Sequence, residues 1–367
     1  MVNIVDEKDE TPVISGSLSV SISETDTIGT AVTGLYAVTD ADAGDVLHYT
    51  LSGTHASYFQ IDSGTGAITT AKTLDYEGGT TVFNLLTLTV RDSVGKSATA
   101  SLTITLTDVN DNAPKFNPSV YYTTINENTA SGTSITTLTV TDADLGANAL
   151  FTVNVVSGDN LTPKFQLSGT QIQTTSSAID YESLGGQNYK YTLIVEARDP
   201  TLTGTATVYV TINGMNEFYP VWGTFNPSYT GTPSYSISEN AGIGTTVVTI
   251  AATDGDSGTQ GTVIYNIQSV TPNGGGSGTG LFHIDPVNGY LATIGTFDRD
   301  TATGGTDYYD VDVRATDGGG RFVDLTIKVS LTDYNDNVPI FAQTVYSLSF
   351  SETKTAGSSL MNFIVTD

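Results

Sequence analysis

The sequence predicts an all-β protein made of tandem Greek-key β-sandwiches. Three observations predict it. Apolar and polar residues alternate in short runs, as in Leu86, Leu88 and Val90, in Leu102, Ile104 and Leu106, and in Tyr191, Leu193, Val195 and Ala197. The same alternation runs through Val208, Val210 and Ile212, through Tyr309, Val311, Val313 and Ala315, and through Leu325, Ile327, Val329 and Leu331. Period-two alternation turns one face of a strand to a core and the other to water. Thr, Ser, Val and Gly dominate the chain, and helix-forming runs of Leu, Ala, Glu and Lys are missing, which favours strands joined by tight turns. Finally, one motif recurs about once per sandwich. It is Asp108-Val109-Asn110-Asp111-Asn112-Ala113-Pro114, then Asp333-Tyr334-Asn335-Asp336-Asn337-Val338-Pro339, with divergent copies at Gly214–Pro220 and Asp6–Pro12. Its prolines step by 102, 106 and 119 residues. About seven short strands per hundred residues, with Gly, Asn and Asp turns, is the density of a Greek-key sandwich.

Other features keep the same phase. Each unit opens on an isolated glutamate: Glu24, Glu127, Glu239 and Glu352. An Asp-x-Asp follows at Asp40 and Asp42, Asp142 and Asp144, and Asp254 and Asp256. A second acid pair comes at Asp75 and Glu77, Asp180 and Glu182, and Asp298 and Asp300, and a strand then ends on Asp92, Asp199 or Asp317. The repeats are therefore expected at 13–113, 114–219 and 220–338. Residues 1–12 read as the tail of a preceding repeat and its linker, and 339–367 as the start of a further, truncated one.

Composition narrows the function. There are 39 acidic and 13 basic residues, a formal net charge of -26. That argues against nucleic-acid binding, which needs basic patches, and against docking on anionic lipid. Cysteine is absent, which excludes disulfides and thiolate metal sites. No apolar run approaches the ~20 residues of a membrane span, and the start lacks the pattern of a signal peptide.

The acids of 108–112 need compensation. Two carboxylates ~4 Å apart repel by ~4 kcal/mol at an effective dielectric near 20. A hard cation with oxygen ligands, Ca²⁺ above all, suits such a set. Taken singly, each Asp or Asn is an ordinary turn former. Turn residues, however, need no partner a hundred residues away, whereas these recur in phase.

With these motifs in hand, the chain resembles extracellular cadherin repeats along essentially its whole length. The resemblance rests on the opening glutamate, Asp-Ala-Asp, Leu-Asp-Tyr-Glu, the strand-end aspartate and Asp-x-Asn-Asp-Asn-x-Pro, in fixed order. It implies immunoglobulin-like sandwiches in a linear rod, with three Ca²⁺ ions between successive repeats. At the first complete junction it implies Glu24, Asp75, Glu77, Asp108, the Val109 carbonyl, Asp111 and Asp144 for two ions. The third ion would take Asn110, the Asn112 carbonyl, Asp142, Asp144, the Asn148 carbonyl and Asp199.

At the next junction the resemblance implies Glu127, Asp180, Glu182, Met215, Asn216, Glu217, Phe218, Asp254, Asp256, Gln260 and Asp317. There Gly214 replaces a linker aspartate and Glu217 another, so weaker binding and a bend are expected. A third set is Glu239, Asp298, Asp300, Asp333, Asn335, Asp336 and Asp367. At the N-terminal end Asp6, Asp9, Asp40, Asp42 and Asp92 form half a site, where Lys8 stands in place of an asparagine.

Other signals carry less. His48, His55 and His283 have no partner at ligand spacing, and the Gly274-Gly275-Gly276 run lacks the residues of a phosphate loop. The acid pairs are repeated in every unit, which fits ligation better than glycosidase chemistry. Trp222 falls where Phe116 and Phe341 stand and reads as core packing near a linker. Asn160-Leu161-Thr162 is a glycosylation sequon.

The expected function is calcium-dependent cell adhesion by a segment of an ectodomain, stiffened by Ca²⁺ and without enzymatic activity. Its partner would be another cadherin ectodomain, homophilic or heterophilic. Its place would be the extracellular face of the plasma membrane, anchored by a part outside this sequence. The alternatives are a non-adhesive mechanical spacer and a microbial calcium-dependent carbohydrate-binding module.

Overall fold

The computed structural model describes residues 7–159, 163–223, 231–300 and 304–366. Asp6, Asp367 and the sequon at 160–162 lie outside them. The chain divides into two compact units, Met1–Asn213 and Gly214–Asp367. Among the described residues there is no α-helix, and no helix is long and apolar enough to cross a membrane.

The first unit holds two copies of one sandwich. In the first copy, strands Ser19–Ser23, Ser97–Thr107, Val82–Arg91 and His48–Ser52 form a sheet in that order. Ser19–Ser23 runs parallel to Ser97–Thr107, and the other neighbours are antiparallel. Ala31–Val32, Ile68–Thr70 and Phe59–Ile61 make the facing sheet. The alternation seen in the sequence sets the core: Leu86, Leu88, Val90, Leu102 and Ile104 are buried and pack with Phe59 and Ile68 of the other sheet. Full burial of one such side chain contributes ~1.5–3 kcal/mol.

The second copy repeats this with Val120–Asn126, Thr203–Asn213, Lys190–Arg198 and Thr152–Gly158 against Ser134–Thr137, Gln171–Thr174 and Phe165–Ser168. Leu193, Val195, Val208 and Val210 fill its core. The second unit repeats it again, with Ser234–Ser238, Phe322–Thr332, Tyr308–Thr316 and Ile264–Pro272 against Thr246–Thr249, Tyr290–Thr293 and Phe282–Ile284.

Among the described residues each copy has nine strands where the sequence predicts about seven. The two extra strands form a small separate pair: Val13–Ser15 with Ala37–Thr39, Lys115–Phe116 with Val140–Thr141, and Val221–Trp222 with Ala252–Thr253. The chain enters each copy on this small pair and then passes to the edge of the four-stranded sheet. The pair also has a consequence for the acids. It fixes the residues after each motif proline beside the strand that leads into Asp-x-Asp.

Two glycines show why turn positions are not interchangeable. Gly53 directly follows, and Gly158 ends, the fourth strand of its sheet, at φ of 112° and 117°. A Cβ on them would lie 1.9 Å from the Leu85 oxygen and 2.1 Å from the Thr192 oxygen. Only a residue without a side chain tolerates both the left-handed backbone and that approach.

Candidate metal centre

The strand order puts each opening glutamate beside the end of its repeat. Ser19–Ser23 pairs with Ser97–Thr107, so Glu24 emerges level with Asp108. Glu24 is 4% exposed. One of its oxygens accepts the Tyr76 amide at 2.6 Å and the other the Val109 amide at 2.7 Å. It thus ties the Asp75–Glu77 loop to the linker. Glu239 does the same for the amides of Arg299 and Tyr334, and Glu127 accepts the Tyr181 amide at 2.8 Å. The sequence gives no sign of this second role.

Around the 108–112 linker the acids form a continuous line. Oxygens of Glu24, Glu77 and Asp108 come within 4.8 Å of one another, as do those of Glu77, Asp111 and Asp144, and those of Asp142, Asp144 and Asp199. Glu77 and Asp144 are each shared by two sets, so the line runs from one repeat to the next. The structure therefore gathers the residues that the sequence places there. Asp75 accepts the Gly78 amide at 2.7 Å. Asn112 donates its amides to Asp144, the backbone N–H at 3.2 Å and Nδ2 at 3.0 Å, and Nδ2 also reaches Asp111 at 2.7 Å. Asn148 Nδ2 donates to Asp108 at 2.9 Å.

How these carboxylates use their oxygens bears on what they can hold. Asp142 Oδ1 accepts the Asp144 amide at 3.1 Å, and Asp199 Oδ1 accepts the amides of Thr201 and Leu202 at 2.7 and 2.6 Å. The other oxygen of each is buried with no hydrogen-bond partner. So are Asp108 Oδ1, Glu77 Oε1 and Asn110 Oδ1. Buried polar oxygens without partners are costly and rare in native proteins. Several converging on one place fit a hard cation, and the donor set, all oxygen, fits Ca²⁺.

Titration points the same way. Burial, then the neighbouring charges of Asp108 and Glu24, pushes the Glu77 carboxyl up to about 7. Burial and adjacent acids also raise Asp111 and Asp142.

The other acid sets follow the pattern within their own units. In the first unit, Asp180 accepts the Ser183 amide at 3.2 Å, and Glu182 begins a short 3₁₀ helix, Glu182–Gln187. Near the N-terminus, oxygens of Asp40, Asp42 and Asp45 lie within 4.8 Å of one another, while Asp9 is exposed.

In the second unit, Asp256 accepts the amides of Glu217 and Phe218 at 3.1 and 3.2 Å, and Asn216 donates to Asp317 at 3.3 Å. Asp254 Oδ2, Asp317 Oδ2 and Asn216 Oδ1 repeat the buried, unpartnered trio of Asp142, Asp199 and Asn110. The Gln260 carbonyl accepts the Gly318 amide at 3.1 Å, and Met215 is about half exposed. Further on, Asp298 accepts the Asp300 amide at 2.9 Å. Burial, then Glu239, Asp333 and Asp336, raises the Asp300 carboxyl. Asn335 is exposed.

A family model described as the cadherin domain matches residues 18–107, 121–213 and 233–332, the three sandwiches just described. The chain belongs to the cadherin domain family. It is 31% identical to the protocadherin-like wing polarity protein stan of Drosophila melanogaster, over 100% of this chain and 10% of that protein. It is 31% identical to protocadherin Fat 4 of Mus musculus, over 96% of this chain and 7% of that protein. The cadherin chain thus spans about a tenth of the length of these relatives. Among solved structures it is similar to mouse cadherin-23 EC22-24 at a TM-score of 0.69 and 27% identity, covering 89% of this chain and 100% of that one. It is also similar to protocadherin gamma B2 domains 1–5, at a TM-score of 0.72 and 26% identity, covering 99% and 68%.

Sequence reasoning missed Asp45, which no motif contains. The signal lay in its neighbours: counted from Gly44, Gly146 and Gly258, the other copies have Ala147 and Thr259 at that place.

Proposed function

We infer that this protein is a segment of the ectodomain of a cell-surface adhesion protein, and that Ca²⁺ held at the 24–199 junction joins two successive repeats into one stiff piece. The repeats are those of residues 13–113, 114–219 and 220–338. The observation that supports this reading is the division of work within the aspartates. In Asp142 and Asp199, one oxygen holds the backbone and the other is left buried without a partner.

Glu24, Asp75, Glu77, Asp108, Asp111 and Asp144 would hold two ions, with the Val109 carbonyl. Asn110, Asp142, Asp144 and Asp199 would hold a third, with the carbonyls of Asn112 and Asn148. The ion supplies positive charge and oxygen-directed cross-linking. The chain supplies a prearranged set of acids whose mutual repulsion loosens the junction until the charge arrives. Dissociation constants of ~10⁻⁴–10⁻³ M would suit extracellular calcium. The partner is another cadherin ectodomain, and the membrane anchor lies in another part of the parent protein.

Two measurements test this. Calcium titrated into the EDTA-stripped chain is expected to give saturable heat and a smaller maximum dimension spread in small-angle scattering; no heat would end the calcium reading. Beads coated with the chain are expected to cluster in Ca²⁺ and disperse in EDTA. Calcium binding without clustering would favour a mechanical spacer.

A further inference from the structure

The linker residues just before each repeat meet that repeat in the same way. The Glu10 amide donates to Asp42 at 2.9 Å, the Asn112 amide to Asp144 at 3.2 Å, and the Glu217 and Phe218 amides to Asp256 at 3.1 and 3.2 Å. What differs is the cation nearby.

In the first copy, Lys8 stands at the linker position of Asn110. Its ammonium donates to Asp45 and, at 3.2 Å, to the Ser93 hydroxyl, and Ser93 donates to Asp45 in turn. The Asp45 side chain is almost wholly covered. Asp45 has no counterpart acid in the other copies, where Ala147 and Thr259 stand, so lysine and partner occur together. Asp42 and Asp92 add to the field at the ammonium.

In the third copy the latch runs the other way, from repeat to linker. The Arg321 guanidinium donates to the Glu217 oxygen and, at 3.5 Å, to the Phe218 oxygen. It also lies over the Tyr219 ring, 4.8 Å from its centre. Asp317 accepts the Arg321 amide at 2.8 Å, which anchors the base of the latch. The second copy has Asn110 in the linker and, at the place of Arg321, Leu202, whose amide likewise donates to the strand-end Asp199. Neither side chain carries charge.

We propose that Lys8 and Arg321 are built-in cationic latches that keep residues 8–10 and 217–219 docked on the repeats that follow them without metal, leaving 109–112 as the linker whose docking is set by calcium. This rests on the calcium reading of the 24–199 junction. It reverses the expectation from motif completeness alone. The linker with the most complete acid motif is the calcium switch, and the divergent linkers are permanently seated. The divergence from the motif and the presence of the latch are thus one adaptation.

Hydrogen–deuterium exchange on the full chain, in EDTA and in saturating Ca²⁺, tests it. In EDTA, peptides covering 109–112 are expected to exchange at least about tenfold faster than in Ca²⁺, while those covering 8–10 and 217–219 change by less than about twofold. Lys8→Ala and Arg321→Ala are each expected to confer EDTA sensitivity on their own linker alone, with core strand 208–212 protected throughout as the folding control. Equal EDTA responses at all three linkers in the wild-type chain would overturn the latches. So would EDTA-insensitive linkers in both variants. No response to Ca²⁺ anywhere, 109–112 included, would instead overturn the calcium reading on which the proposal stands.

Discussion

Glu24 and Val109 are joined by a 2.7 Å hydrogen bond from the Val109 amide to a carboxylate that is buried and also holds the Tyr76 amide. A single side chain from the start of the repeat thus fixes the first residues after its end. Glu24→Ala leaves two amides without their acceptor. With ~1–3 kcal/mol for each buried group left unsatisfied, a loss of about 3 kcal/mol in the unfolding free energy of the first unit is expected in EDTA. Glu24→Gln keeps one acceptor and should lose about half as much. Urea unfolding measures both. An alanine variant as stable as the wild type in EDTA would show that Glu24 acts through metal alone.

The pH dependence of the metal-free protein follows from Glu77, whose carboxyl sits at about 7 against an ordinary 4.5. The folded state therefore holds a proton that the unfolded chain releases near pH 4.5. The stability from this group is complete below that value and is lost as pH rises through about 7. Asp111 and Asp142, raised in the same direction, extend the trend. At Asp199 burial opposes ionisation, but the amides of Leu202 and Thr201 outweigh it and lower the carboxyl, so its contribution is lost only in stronger acid. In EDTA the melting temperature is expected to fall between pH 5 and 8, and Glu77→Gln to flatten that slope. Saturating Ca²⁺ should remove it. A melting temperature that rises with pH in EDTA would contradict the raised carboxyls.

The sandwich was legible because burial in a two-sheet core imposes period two on sequence, as Leu86, Leu88 and Val90 show. The acids were legible because their spacing recurs. Glu24 as a double acceptor was not, since a backbone amide leaves no mark on residue identity. The pairing of Lys8 with Asp45 was not either. It joins residues 37 apart, and only superposing the loops after Gly44, Gly146 and Gly258 sets Asp45 apart. The short pair of Val13–Ser15 with Ala37–Thr39 was missed because two- or three-residue strands are too short to establish alternation.

Trp222 occupies the place of Phe116 and Phe341, stacks on Tyr265 with ring centres 5.9 Å apart, and donates its indole N–H to the Asp324 oxygen at 3.3 Å. Trp222→Phe keeps the stacking and is expected to cost about 1 kcal/mol, the net value of one hydrogen bond. Trp222→Ala should cost about 3 kcal/mol through lost packing. As the only tryptophan of the chain, its fluorescence reports unfolding of the second unit in the wild type. Circular dichroism must replace it in the variants. Equal costs for Phe and Ala would mean that the ring packing contributes nothing.

Asp199 allows its two roles to be separated. Its Oδ1 accepts the Thr201 and Leu202 amides, and its Oδ2 is buried without a partner. Asp199→Asn keeps an acceptor for the turn and puts a donor where the free oxygen was. In EDTA the variant should therefore fold with a stability within about 1 kcal/mol of the wild type, since only the strength of the turn bonds changes. In Ca²⁺ it should differ sharply. At a hundredfold excess over the dissociation constant an ion stabilises by ~2.7 kcal/mol, and a tenfold weaker site gives up ~1.4 kcal/mol of that. Asp199→Ala removes both roles, so it should lose stability in EDTA as well. Thermal melts of the three proteins, with and without Ca²⁺, distinguish the cases. A calcium-induced shift as large in Asp199→Asn as in the wild type would show that the free oxygen takes no part in holding an ion, and the three-ion arrangement would have to be rebuilt without it.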